Sequence, residues 1–294
     1  MSVVLRPVAS SVRQVLSGTD DGQSRVVASI GEPTGAPGWF APGDPIWVVH
    51  GSVATFVGGI RSLLLQALHP LALAGVTRHS DYREDPLGRL QRTGAFIAAT
   101  TYGSVALAER TVAAITTMHT RVRGTVAGRE YSATDPRLLE WVHVALVDSM
   151  LTAYQHLGHD GAVDPDGYVA DMAVVGKAMG VVDPPQSVRA LHDVLAGFGP
   201  ELSGGPAVDE MWDFIMNAPL PVALRPGYAV LARAARDTLP PWALGFAGQA
   251  PAPGPIRQTR AMVADAALRG LSWALVQSPA QAAGERRLGT VAPG

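Results

Sequence analysis

The pair Asp-Pro recurs along the chain, at 44–45, 135–136, 164–165 and 183–184 among its occurrences, and it joins the two residue types that best open a helix. The carboxylate can accept a hydrogen bond from the first free amides, while proline at the first helical position gives up a donor that would have had no partner. A chain punctuated in this way is predicted to be a succession of helices. One starts at Pro45 and carries Trp47, His50, Val53, Phe56 and Val57; others span 136–157, 165–179 and 184–196. Further helical segments are expected over 60–69, from Pro86 onward, and over 105–122, 208–217, 227–238 and 256–276, with Pro70 forcing a break after the first of these. Residues 127–134 read as a loop, and Arg123-Gly124 as a cationic helix end with a left-handed stop. Alternation with period two persists nowhere long enough to argue for a sheet. The expected fold class is therefore all-α, one multi-helix domain over 44–278. A Gly-, Pro- and Ser-rich extended arm (1–43) precedes it and a loose polar tail (279–294) follows it.

With 294 residues, 47 % of them apolar, the chain is long enough to bury a core around a cofactor. Its 23 basic and 25 acidic side chains leave a net charge of −2 with no basic run, so nothing favours nucleic acid, and a small or apolar partner is expected instead. Cysteine is absent, which excludes disulfides, zinc-thiolate sites, iron–sulfur clusters and the covalent attachment motif of c-type haem. The start, Met1-Ser2-Val3-Val4-Leu5-Arg6-Pro7, lacks a basic residue followed by an apolar core, so the cytoplasm is the expected compartment. The uncharged stretch 62–76 is interrupted by His69-Pro70 and is shorter than the roughly 20 residues a span requires. It reads as a buried helix pair, with peripheral membrane contact left open. No phosphate-cradling loop, dinucleotide fingerprint or nucleophile elbow is present.

Val105, Ala108, Val112, Ile115, His119 and Val122 recur at steps of three and four, which places His119 within an apolar helical stripe. A buried imidazole without a partner costs about 1–3 kcal/mol, so His119 is expected to find a hydrogen bond, a metal or a cofactor. Upstream, Arg89, Arg92 and Thr93 stand at i, i+3 and i+4 and line one helical face, and the apolar run 94–99 that follows carries that face inward. A buried cationic face calls for an anion. In the helix after Asp135-Pro136, Leu139, Val142, Leu146, Met150, Ala153 and Leu157 form the expected core stripe, with His143 one position off it. His50, His69, His79, Asp81 and Tyr82 read as cap, hinge and loop residues, and His156, His159 and Asp160 as a weak metal cluster across a helix end.

The ordered set from Gly59-Ile60-Arg61 to His69-Pro70, then Gly75, His79-Ser80-Asp81, Arg89-x-x-Arg92-Thr93, Tyr102-Gly103, His119-x-x-Val122-Arg123-Gly124, Tyr131-Ser132, Asp135-Pro136 and Trp141-Val142-His143 resembles the MpaB-type oxygenase family, relatives of the latex-clearing proteins or rubber oxygenases. The resemblance implies an all-helical protein around a haem b pocket, with His119 as proximal iron ligand and Arg89 and Thr93 lining the pocket. Arg89 would pair with a haem propionate or steady dioxygen, Thr93 would donate a hydrogen bond on the distal side, and His143 would hydrogen-bond a propionate or cap the core. The latex-clearing enzymes have a lysine, a possible iron ligand, where this chain has Arg92. Arginine stays protonated and has no lone pair to give, so Arg92 would supply a fixed positive charge and leave the distal position empty or to water. Those enzymes also carry an acidic residue upstream that is absent from Leu71-Ala72-Leu73-Ala74. The implied activity is a haem-dependent oxygenase or oxidase using dioxygen or peroxide on a small, mostly apolar organic molecule. The alternatives are a non-catalytic helical protein binding a hydrophobic ligand in the same pocket, and a non-haem metal site built by converging histidines.

Overall fold

The computed structural model describes residues 25–158, 161–275 and 278–289. The fold is all-α: among these residues fourteen α-helices are joined by short turns, two 3₁₀ turns and one two-stranded hairpin. In order they are α1 (Arg25–Ile30), α2 (Pro45–Gly51), α3 (Thr55–Gln66), α4 (Pro70–His79), α5 (Pro86–Tyr102) and α6 (Val105–His119), then β1 (Arg123–Val126) and β2 (Arg129–Ser132). There follow α7 (Pro136–Leu157), α8 (Pro165–Ala178), α9 (Val188–Gly197), α10 (Pro206–Met216), α11 (Arg225–Asp237), α12 (Pro241–Phe246), α13 (Gly254–Leu275) and α14 (Pro279–Leu288).

The aspartate–proline starts act as expected at α7 and α8, where Asp135 Oδ1 accepts from the Arg137 amide at 2.8 Å and Asp164 Oδ1 from the Asp166 amide at 3.1 Å. At 183–184 the helix begins later, at Val188. Pro184 precedes Pro185, and a residue before proline is pushed out of the helical region; Ser187 caps instead, its Oγ accepting from the Ala190 amide.

The centre of the molecule is α7, packed most extensively against α3 and also touching α2, α4, α8, α9 and α13. Gly58 lets α3 come close, since a Cβ there would lie 2.8 Å from Met150 Sδ and 3.0 Å from its Cα. Because α7 is surrounded, it is buried almost all round, and Val142, expected on the core stripe, is 38 % exposed whereas His143, Val144 and Val147 are buried. An amphipathic stripe describes a helix at a surface, and α7 is not one. The break at Pro70 leaves carbonyls at the end of α3 without helical partners, and two buried indoles take part in satisfying that end. Trp212 Nε1 donates to Leu64 O at 2.9 Å and Trp141 Nε1 to Gln66 O at 3.3 Å.

Two expectations about the rest of the chain do not hold. Residues 127–134 are not an irregular loop, and Gly124 is not a helix stop. Arg123↔Ser132 through Val126↔Arg129 pair antiparallel about an Ala127-Gly128 turn in which both residues have positive φ, 50° and 77°, the pattern of a type I′ hairpin. The hairpin is tied to α4 by Arg78, which donates to Thr125 O at 2.6 Å, and by His79 Nε2 against Tyr131 OH at 3.1 Å. Nor is the described part of the tail loose, for α14 packs on α1 and α5 and buries Arg287 completely. Among the described residues no single helix is long and apolar enough to cross a membrane; α2 and α3 pass only as a pair bent by 93°.

Candidate functional site

α5 and α6 are joined by Gly103-Ser104 alone and pack on each other as a helical hairpin. Ser104 starts α6, its Oγ accepting from the Leu107 amide at 3.3 Å, and Asp85 starts α5, its Oδ1 accepting from the Gly88 amide at 2.8 Å. Doubling back at Gly103 brings the first turns of α5, with Arg89, Arg92 and Thr93, to the same end of the hairpin as His119, the last residue of α6.

His119 lies on the stripe assigned to it: Ala108 and Val112 are buried, and Val105, Ile115 and His119 are half-buried. Val122 falls beyond the helix end. Among the described residues neither ring nitrogen of His119 has a hydrogen-bond or ion-pair partner, so the hydrogen bond that was one of its expected partners is not seen. Burial pushes its pKa below the usual histidine range, which keeps the imidazole neutral at pH 7 with a lone pair to donate.

Arg89 is half-buried, and its Nη1 donates to Ser80 Oγ at 2.8 Å. Desolvation and the neighbouring Arg92 depress its pKa, yet a guanidinium remains charged. No carboxylate pairs with it among the described residues.

Arg92 and Thr93 depart from their expected roles. Arg92 is exposed and paired with Asp85 Oδ2 at 3.1 Å, so its charge is spent at the helix start and faces solvent. The carboxylate that caps α5 through one oxygen holds Arg92 through the other, which spacing on a helix does not reveal. Thr93 is exposed too, and its hydroxyl donates to Arg89 O at 3.1 Å; its oxygen is left to accept rather than donate.

His143 sits elsewhere, 7 % exposed, with its ring against Gly176 of α8. Its Nε2 is buried without a hydrogen-bond partner and its pKa is pushed down to about 4 by burial. The native ring therefore stays neutral to about pH 4, while the unfolded ring takes up its proton near pH 6.5. Stability from this residue is complete above about pH 6.5 and is lost as pH falls, by about 1.4 kcal/mol per pH unit. In a His143→Gln variant the urea-unfolding free energy is expected to fall less steeply between pH 6 and 4; an unchanged slope would contradict the assignment. A Cβ at Gly176 would lie 2.6 Å from His143 Cε1 and 2.8 Å from Nε2. Gly176→Ala is accordingly expected to cost about 1–3 kcal/mol through overpacking, read from the same urea curves.

Two polar clusters lie elsewhere: His69 stands at the expected hinge, where it caps α4, while the partners of His50 leave no signal in the sequence. His50 holds Thr101 Oγ1 at 2.8 Å and Tyr168 OH at 3.1 Å, which satisfies both ring nitrogens, and burial pushes its pKa down to about 3. His69, fully buried, accepts from the Leu71 amide through Nδ1 at 3.3 Å, so its proton belongs on Nε2, 3.5 Å from Glu201 Oε2. Both histidines join segments of the core. No group of three or more histidines and carboxylates converges on a metal-sized site among the described residues, and His159 and Asp160 of the expected weak cluster lie outside them.

The all-α body thus carries, toward one end of a helical hairpin, an imidazole without a partner and a guanidinium without a carboxylate among the described residues. Residues 47–273 match the family described as ER-bound oxygenase mpaB/B'/rubber oxygenase, catalytic domain. The chain belongs to this family of oxygenase catalytic domains. No curated protein matches it, and no solved structure does.

Proposed function

We propose that the protein is a haem b-dependent oxygenase or oxidase, using dioxygen or peroxide, that acts on a small, mostly apolar organic substrate. The observation that carries this reading is His119, a half-buried imidazole kept neutral by burial and without a partner among the described residues. Haem, when bound, would supply the redox-active iron at which the oxidant is activated. His119 would hold that iron through a ring nitrogen. Arg89, positioned by Ser80, would meet a propionate carboxylate by charge-assisted hydrogen bonding. Arg92 would act from the rim, its charge shared with Asp85.

The test is dioxygen uptake by the haem-supplemented protein offered a panel of small alkenes and aromatics. Uptake that requires haem and disappears in His119→Ala supports the proposal; haem binding with no uptake favours the second reading, a non-catalytic binder of a hydrophobic ligand. That reading draws on Leu71-Ala72-Leu73-Ala74, a stretch of α4 without an acidic side chain. Arg89→Ala is expected to weaken haem affinity about tenfold, as loss of one charge-assisted contact does, measured by haem titration.

A further inference from the structure

A shallow, open cleft of about 560 Å³ runs along the side of α6 next to the one that carries His119, the two sharing Val112. Its apolar wall is made by Trp39, Val112 and Ala178, and its one ionisable lining residue is Glu109. Glu109 is exposed and has no ion pair among the described residues. Two lining threonines have already used their hydrogens: Thr117 Oγ1 donates to Ala113 O at 2.8 Å and Thr120 Oγ1 to Thr117 O at 2.7 Å. Toward the cleft these hydroxyls can only accept. Two helices also end here, α6 at His119 beside Thr120 and α8 at Ala178, and helix C-termini carry partial negative charge. Lys177, in the last turn of α8, is not among the lining residues. The cleft is thus mostly apolar, with one carboxylate, two hydroxyls that can only accept, a third at Thr116, and an indole on one side.

We propose that this cleft binds an organic ammonium with an apolar body, with Glu109 and the oxygens of Thr117 and Thr120 receiving the cationic head and Trp39 packing on the apolar part. An indole adds attraction for a cation in its own right. The inference is independent of haem.

A matched series tests it: 4-phenylbutylammonium, 4-phenylbutanol and 4-phenylbutanoate, titrated into the full-length protein by calorimetry. Saturable one-to-one binding is expected, with the ammonium about tenfold or more tighter than the carboxylate, a difference of about 1.4 kcal/mol. Glu109→Gln, at an exposed position, is expected to bring the two within about threefold, and Trp39→Ala to weaken all three. Carboxylate binding as tight as ammonium, no saturable binding of any member, or an ammonium preference unchanged in Glu109→Gln overturns the proposal. His119→Ala separates the two readings, because it is expected to remove haem binding and leave the ranking of the series intact.

Discussion

Replacing Asp148 by alanine is expected to destabilise the protein by about 3–5 kcal/mol, the usual cost of leaving a buried charge without its counter-ion. Asp148 in α7 takes a 2.6 Å ion pair from Arg61 Nη1 in α3, with side-chain exposures of 11 % and 3 %. The guanidinium also donates to Ser149 Oγ at 2.8 Å and through Nε to Thr238 O at 3.3 Å, so it joins α3 and α7 to the end of α11. After the substitution those two neutral acceptors would be left to stabilise a full positive charge where water does not reach. The pair itself need not contribute as much, because bringing both ions out of water offsets most of their attraction. Arg61→Met with Asp148→Leu should therefore recover most of the loss. Urea unfolding of the two single variants and the double variant checks this; a double variant as unstable as the worse single one would show that the geometry of the network, rather than the unpaired charge, sets the cost.

Arg287→Ala is expected to have an effect of comparable size, about 3 kcal/mol or more, for a different reason. Fully buried Arg287 has no carboxylate partner among the described residues; it donates to four backbone carbonyls, Ile30 O, Ala36 O, Tyr102 O and Gly103 O. The last two belong to the C-terminal end of α5, where partial negative charge favours a cation. One side chain from α14 thus fastens the N-terminal segment and the turn of the hairpin that carries the candidate site. Truncation leaves several buried acceptors unsatisfied, each costing about 1–3 kcal/mol, partly relieved by water entering the space. Arg287→Lys should recover little, since a single ammonium cannot span carbonyls from three segments. Thermal unfolding of the three proteins checks this, and a lysine variant as stable as the parent would contradict it.

The helices were legible because their starts are local chemistry: an aspartate, a proline and a following apolar period suffice at Pro136 and Pro165. What was hidden depends on distant partners. Nothing between Pro279 and Leu288 announces that Arg287 will find four carbonyls contributed by residues 30–103, so that segment reads as loose polar chain. The Ala127-Gly128 turn was missed because alanine at positive φ is uncommon, and short strands without clear alternation give periodicity nothing to detect. Helical spacing alone places His119 on its half-buried stripe and Arg89 on the inner side of α5. The outward turn of Arg92 was not legible, because the carboxylate that draws it away also caps the helix, a double role visible only in three dimensions.

The proposed function rests on one group, the imidazole at the end of α6 that burial keeps neutral. The direct measurement is the absorption spectrum of the purified, haem-supplemented protein, oxidised, reduced and reduced with carbon monoxide, alongside His119→Ala. A Soret band that saturates at one haem per chain, shifts with carbon monoxide and is lost in the variant is the predicted result. A parent protein that takes up no haem, or a variant whose spectrum matches the parent, would contradict the account.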